Sequence, residues 1–121
     1  MKIRIKGNSI RYRLSRTEVE TFCSKGSFSE KTLFNTKPFH YKIKALEGIE
    51  NLGADFGDDT ITLYFPDSWR NVWANTEIVG YQHKMILANG KELLLLVEKD
   101  FVCLDIRDED QSDNYPNPKA S

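Results

Sequence analysis

The chain has 121 residues, 40% of them apolar, 29% charged and 12% aromatic, with a formal net charge of −1. That is the size and composition of one globular domain, too rich in aromatic residues for disorder through most of its length. The balance argues against a protein that coats nucleic acid, and no apolar run approaches the roughly 20 residues that span a bilayer.

Residues 1–14 predict a β-hairpin turning at Gly7-Asn8, a pair suited to the positive φ of a two-residue turn. This register sets Ile5 against Ile10, Ile3 against Tyr12 and Met1 against Leu14 on one face. Lys2, Arg4, Lys6, Ser9, Arg11 and Arg13 fall on the other, and a slip of one residue would destroy the segregation. A helix over about 16–25 follows. Ser15 is its N-cap, Glu18 completes a capping box, and Leu14 with Val19 forms a hydrophobic staple. Val19, Phe22 and Cys23 make the buried stripe, and Gly26 ends the helix.

Strands are expected over 27–34 and 39–46. The second alternates Phe39, Tyr41, Ile43 and Ala45 inward with His40, Lys42 and Lys44 outward. Strands over 52–56 and 60–65 turn at Gly57-Asp58-Asp59. Pro66 stops the latter, and Asp67 or Ser68 caps a short helix carrying Trp69, Val72 and Trp73. Strands over 78–87 and 91–98 meet at Asn89-Gly90, a strong hairpin signal, and 101–106 suits one more short strand. From Arg107 the chain turns polar and acidic with a single aromatic, Tyr115, and cannot bury enough surface to fold by itself.

These elements define an α+β class with about eight mainly antiparallel strands and two short helices. The domain is residues 1–106, followed by a polar acidic tail over 107–121. The order ββαββ occurs twice, over 1–46 and 51–98, which raises an internal duplication. Residue-level likeness between the halves is limited to Phe22 and Trp73, which close the two helices. The strands suit either a closed barrel or two packed sheets.

The opening Met1-Lys2-Ile3-Arg4-Ile5-Lys6-Gly7-Asn8-Ser9-Ile10-Arg11 resembles that of a family of small uncharacterised bacterial proteins. The closing Leu96-Val97-Glu98-Lys99-Asp100-Phe101-Val102-Cys103-Leu104-Asp105 and Glu109-Asp110-Gln111-Ser112-Asp113-Asn114-Tyr115-Pro116-Asn117-Pro118 are similar to that family's ending. The family carries no assigned activity. The resemblance implies a bacterial, non-secreted protein whose closing run belongs to it.

Charge is distributed unevenly. Residues 1–44 hold eleven Lys/Arg and three Glu, whereas residues 45–121 hold six Lys/Arg and fifteen Asp/Glu. The hairpin face of Lys2, Arg4, Lys6, Arg11 and Arg13 is the candidate anion site, because cations set opposite one another repel unless something negative lies across them. Solvent, the protein's own acidic half or an external anion can fill that role. No aromatic interleaves these cations, which argues against stacking on single-stranded nucleic acid.

Tyr115, Pro116 and Pro118 are candidate anchors that would lay the tail across the domain, the other reading being a free tail. Asp105, Asp108, Glu109, Asp110 and Asp113 lack the spacing and central glycine of a calcium loop. His40, His83, Cys23 and Cys103 are scattered, so no metal site, catalytic set or cofactor is expected. Trp69 and Trp73 read as core plugs. Cys103, between Val102 and Leu104, reads as a small buried hydrophobe.

Two functional classes stay open. One is a small non-enzymatic cytoplasmic binding or accessory protein, acting through its charged faces or tail on an unknown protein or a second copy of complementary charge. The cytoplasmic expectation rests on the opening residues, which alternate cation with apolar residue instead of forming a signal sequence. The other is a barrel-type enzyme or ligand-binding protein whose basic hairpin face holds a small phosphate-bearing anion. Cations pointing outward favour the first; Arg4, Arg11 and Arg13 pointing into a barrel favour the second.

Overall fold

The computed structural model describes residues 1–101 and 112–116. The expected strand at 101–106, the start of the tail, Cys103 and Pro118 therefore lie wholly or largely outside the described residues. The elements run β1 (Lys2–Lys6), β2 (Ser9–Leu14), α1 (Arg16–Lys25), β3 (Ser27–Thr32), β4 (Phe39–Leu46), β5 (Gly53–Gly57) and β6 (Thr60–Pro66). A 3-10 turn (Asp67–Trp69) then leads into α2 (Arg70–Asn75), β7 (Gly80–Ile86) and β8 (Glu92–Lys99).

The strands form two four-stranded sheets, ordered β1-β2-β8-β7 and β3-β4-β6-β5. Four ladders are antiparallel hairpins; β2–β8 and β4–β6 are parallel. The barrel is not formed, because the two parallel ladders complete separate sheets, each with its own two edge strands. The cations of the basic face accordingly line no barrel interior.

The two halves obey an internal two-fold repeat. Exchanging β1, β2, β3 and β4 for β5, β6, β7 and β8 turns the first sheet order into the second. The register follows as well: 51 positions along, the Lys2↔Arg13 and Lys6↔Ser9 pairs become Gly53↔Tyr64 and Gly57↔Thr60. The fully buried Tyr12, Leu14, Phe22 and Ile43 have Leu63, Phe65, Trp73 and Val97 as counterparts, also fully buried. Each half gives one hairpin to each sheet, and each helix carries the chain from one sheet to the other.

All four hairpin tips lie at one end, since β2 and β8 start side by side, as do β4 and β6. The two helices plug the opposite end. There Phe22 packs edge-on to Phe65 at 5.2 Å, Trp73 lies 5.4 Å from Phe65, and Trp69 stacks on Tyr81 at 4.3 Å. Between the sheets, the Tyr12 hydroxyl donates to the Ile61 carbonyl at 3.0 Å and the ring meets Tyr41 edge-on. Burial raises the Tyr12 pKa well above the usual phenol range, so this donor stays protonated.

Helix α1 starts and ends as its sequence dictates. Ser15 accepts from the Glu18 amide, Glu18 accepts from the Ser15 amide at 2.8 Å, and Gly26 closes the helix at φ 87°. Helix α2 differs: Asp67 and Ser68 make no cap. Asp67 instead binds Arg70, whose guanidinium reaches across to the Cys23 carbonyl at 3.0 Å and ties the helices together. The β7–β8 connection is also longer than a two-residue turn. Leu87 and Lys91 pair across Ala88-Asn89-Gly90, with Gly90 at φ 84°, because a glycine in the left-handed region closes a three-residue loop. Ser15→Ala is expected to cost about 1 kcal/mol, read as a lower urea midpoint; an unchanged midpoint would mean that the hydroxyl does not stabilise the helix.

Candidate functional site

Residues 2, 4 and 6 of β1 and 9, 11 and 13 of β2 project from the outer face of the first sheet, because Ile3, Tyr12 and Leu14, of opposite parity, pack into the core. β8 extends this face with Leu94, Leu96 and Glu98, which pair with Ser9, Arg11 and Arg13. Glu98 Oε1 lies 3.0 Å from Arg11 Nε and 3.8 Å from Arg13 Nε. These are ion contacts without hydrogen-bond alignment. Lys2 Nζ sits 2.8 Å from Asp100.

Among the described residues, Arg4 and Lys6 have no carboxylate partner. They border, with Arg11 and Ser9, an open groove of about 250 Å³ floored by Leu94 and Leu96. A shallower hollow of about 160 Å³ continues from it past Arg4 and Arg11 toward Lys2 and Arg13. The five sequence-predicted cations thus share one outward strip, and β8 supplies an acidic partner that no local pattern announces. The two-fold repeat sharpens the contrast. In the second sheet, the positions of Arg4, Lys6, Arg11 and Arg13 hold Asp55, Gly57, Thr62 and Tyr64.

The second predicted site concerns the closing segment. Its described part runs across the start of α1: the Arg16 amide donates to the Asp113 carbonyl at 3.0 Å, and the Thr17 hydroxyl to the Asp113 carboxylate at 2.7 Å. The Thr17 amide reaches the same carboxylate at 3.4 Å, and the Glu18 amide donates to the Ser15 hydroxyl, so the first-turn N–H groups are satisfied. Tyr115 donates its amide to the Asp100 carbonyl at 2.8 Å and forms a bridge with Phe101. Its half-buried ring lies 5.7 Å from Phe101, with Arg16 and Lys99 each near a face. Burial raises its phenol pKa to about 12. Pro116 borders the pocket beside Tyr115.

The Ser15 hydroxyl, then that of Thr17, holds the Asp113 carboxyl below the usual range. A lowered folded-state pKa adds stability above the unfolded value, lost as pH falls through the folded one. Asp113→Asn should therefore lower the melting temperature at pH 7, and the loss should shrink as pH falls through the folded-state pKa; a loss that does not change with pH would assign the effect to something other than the charge. Tyr115→Ala should cost about 2 kcal/mol, and a melting temperature equal to that of the native chain would show that the ring contributes nothing.

Sequence reasoning missed Lys99 and Asp100, the two charged residues that are buried among the described ones. The signal was present: Lys99 continues the inward phase of Leu93, Leu95 and Val97, where a lysine is out of place. Among the described residues no three His, Cys, Asp or Glu side chains gather as a metal site requires. Cys23 is a free thiol whose pKa burial raises. Among the same residues no helix is long and apolar enough to cross a membrane.

The fold and site together define an α+β two-sheet protein built from a repeated ββαββ unit, with an open basic strip on one sheet. The chain belongs to the family of unknown function DUF7009, whose profile matches residues 1–119. No curated protein and no solved structure matches it.

Proposed function

We propose that this is a non-enzymatic binding or accessory protein of the bacterial cytoplasm, and that it docks an acidic protein partner on the outer face of its first sheet. One observation carries the reading: Arg4 and Lys6 point outward with no carboxylate among the described residues, beside a groove floored by Leu94 and Leu96. Cations around an apolar floor suit an acidic side chain, whose methylene groups rest on leucine while the carboxylate meets the cations. A nucleic-acid strand would want aromatic platforms, and this strip carries none. The family resemblance supports a bacterial, non-secreted protein.

Fluorescence anisotropy with labelled poly-L-glutamate, against oligo(dT) of equal charge, tests the reading. Replacing both cations, Arg4→Ser with Lys6→Ser, should weaken polyglutamate binding about tenfold and leave the melting temperature unchanged. Equal affinity in the double variant, or tighter binding of the oligonucleotide, contradicts it.

A further inference from the structure

A pocket lined by Lys99 lies at the helix-plugged end of the molecule. Lys99 is only 6% exposed. Its ammonium donates to the Thr76 carbonyl at 2.8 Å and lies 5.3 Å from the Tyr115 ring centroid. Among the described residues no carboxylate pairs with it. A buried ammonium has three donors and ordinarily a counter-ion, since an uncompensated buried charge is costly. Here one hydrogen bond goes to a carbonyl and the aromatic ring supplies a weak cation contact.

Lys99 lines a pocket of about 460 Å³, within the size range of small-molecule sites. Val79, Phe101 and Tyr115 supply its apolar walls, and Thr76 and Glu77 its polar edge. Desolvation lowers the Lys99 pKa, and the opposing pull of Cys23 and Glu77 offsets it only in part. In the other half of the repeat, Ala45 occupies the corresponding position: its amide donates to the Gly26 carbonyl at 2.8 Å, as that of Lys99 does to Val79. The scaffold therefore does not require a lysine there.

We infer that this pocket binds a small molecule with a flat apolar body and a single anionic group, the anion on Lys99 and the body against Phe101 and Tyr115. Glu77 at the edge disfavours a second negative charge. The inference is independent of the docking face on the first sheet.

8-Anilinonaphthalene-1-sulfonate, a flat monoanion, is the probe, with uncharged N-phenyl-1-naphthylamine as its control, both on the full chain. Sulfonate binding should saturate at one site and weaken at least tenfold in Lys99→Met, a near-isosteric change that removes the buried charge. Binding of the uncharged control should change less than twofold. Amide shifts in the unmutated chain give a readout that needs no variant: they should centre on Thr76, Val79 and Tyr115. Non-saturable binding, equal sulfonate affinity in Lys99→Met, or shifts centred on the hairpin tips or the basic strip would overturn the inference.

Discussion

Trp73→Ala is expected to remove about 4 kcal/mol of folding free energy, close to the whole stability of a marginal domain. The indole is fully buried and contacts Phe22, Phe65 and Tyr81, with centroids 5.4–6.4 Å away. Its Nε1 donates to the Val79 carbonyl at 3.3 Å. Truncation leaves a cavity walled by side chains from both sheets and α1, and removes one of the two hydrogen bonds that the Val79 carbonyl accepts, the other coming from the Lys99 amide. These walls cannot collapse together, because each is held by its own ladder or helix. Phe22→Ala, its two-fold counterpart, should cost about 3–4 kcal/mol. Urea denaturation reads both; a loss below about 2 kcal/mol for Trp73→Ala would mean that the helices do not plug the core as described.

Gly80→Ala should cost about 3 kcal/mol, although it adds a single methyl group on a strand. A Cβ at Gly80 would lie 2.1 Å from the Val97 carbonyl oxygen and 2.8 Å from Glu98 Cα. Both obstacles are backbone, so no rotamer change relieves the clash, and β8 would have to move away from β7. That movement would disturb the Lys99 amide bond to the Val79 carbonyl. Gly57, whose added Cβ would meet nothing within 4 Å, is the control: Gly57→Ala should stay within about 1 kcal/mol of the native chain. If the two substitutions behave alike, the close approach at Gly80 is not real.

What the sequence disclosed was local. The β1–β2 register is legible because Gly7-Asn8 pins the turn and six apolar residues agree on one face. The start of α1 is legible because Ser15 and Glu18 bond to neighbours three residues away. Strand neighbours distant in sequence are not legible, because a period of two says which way a side chain points but not beside which strand it lies. The β2–β8 and β4–β6 ladders were therefore invisible, and with them the choice of two sheets over a barrel.

The candidate site divides the same way. That Arg4, Lys6 and Arg11 share a face follows from alternation; that Glu98 lies across it from Arg11 and Arg13 required a parallel pairing over more than 80 positions. The two-fold repeat was legible only as element order. Its core positions kept their burial while exchanging Tyr12 for Leu63 and Leu14 for Phe65, since volume and polarity pattern, not identity, are what packing demands.

Amide shift mapping with poly-L-glutamate tests the central claim, that the outer face of the first sheet is the docking surface. The second sheet is the internal control: its scaffold is the same, and its outer face also bears cations, Lys42 and Lys44. Saturable shifts should centre on Arg4, Lys6, Ser9, Arg11, Leu94 and Leu96 and disappear as salt is raised. Shifts centred on Lys42 and Lys44, or spread evenly over both sheets without saturation, would contradict it.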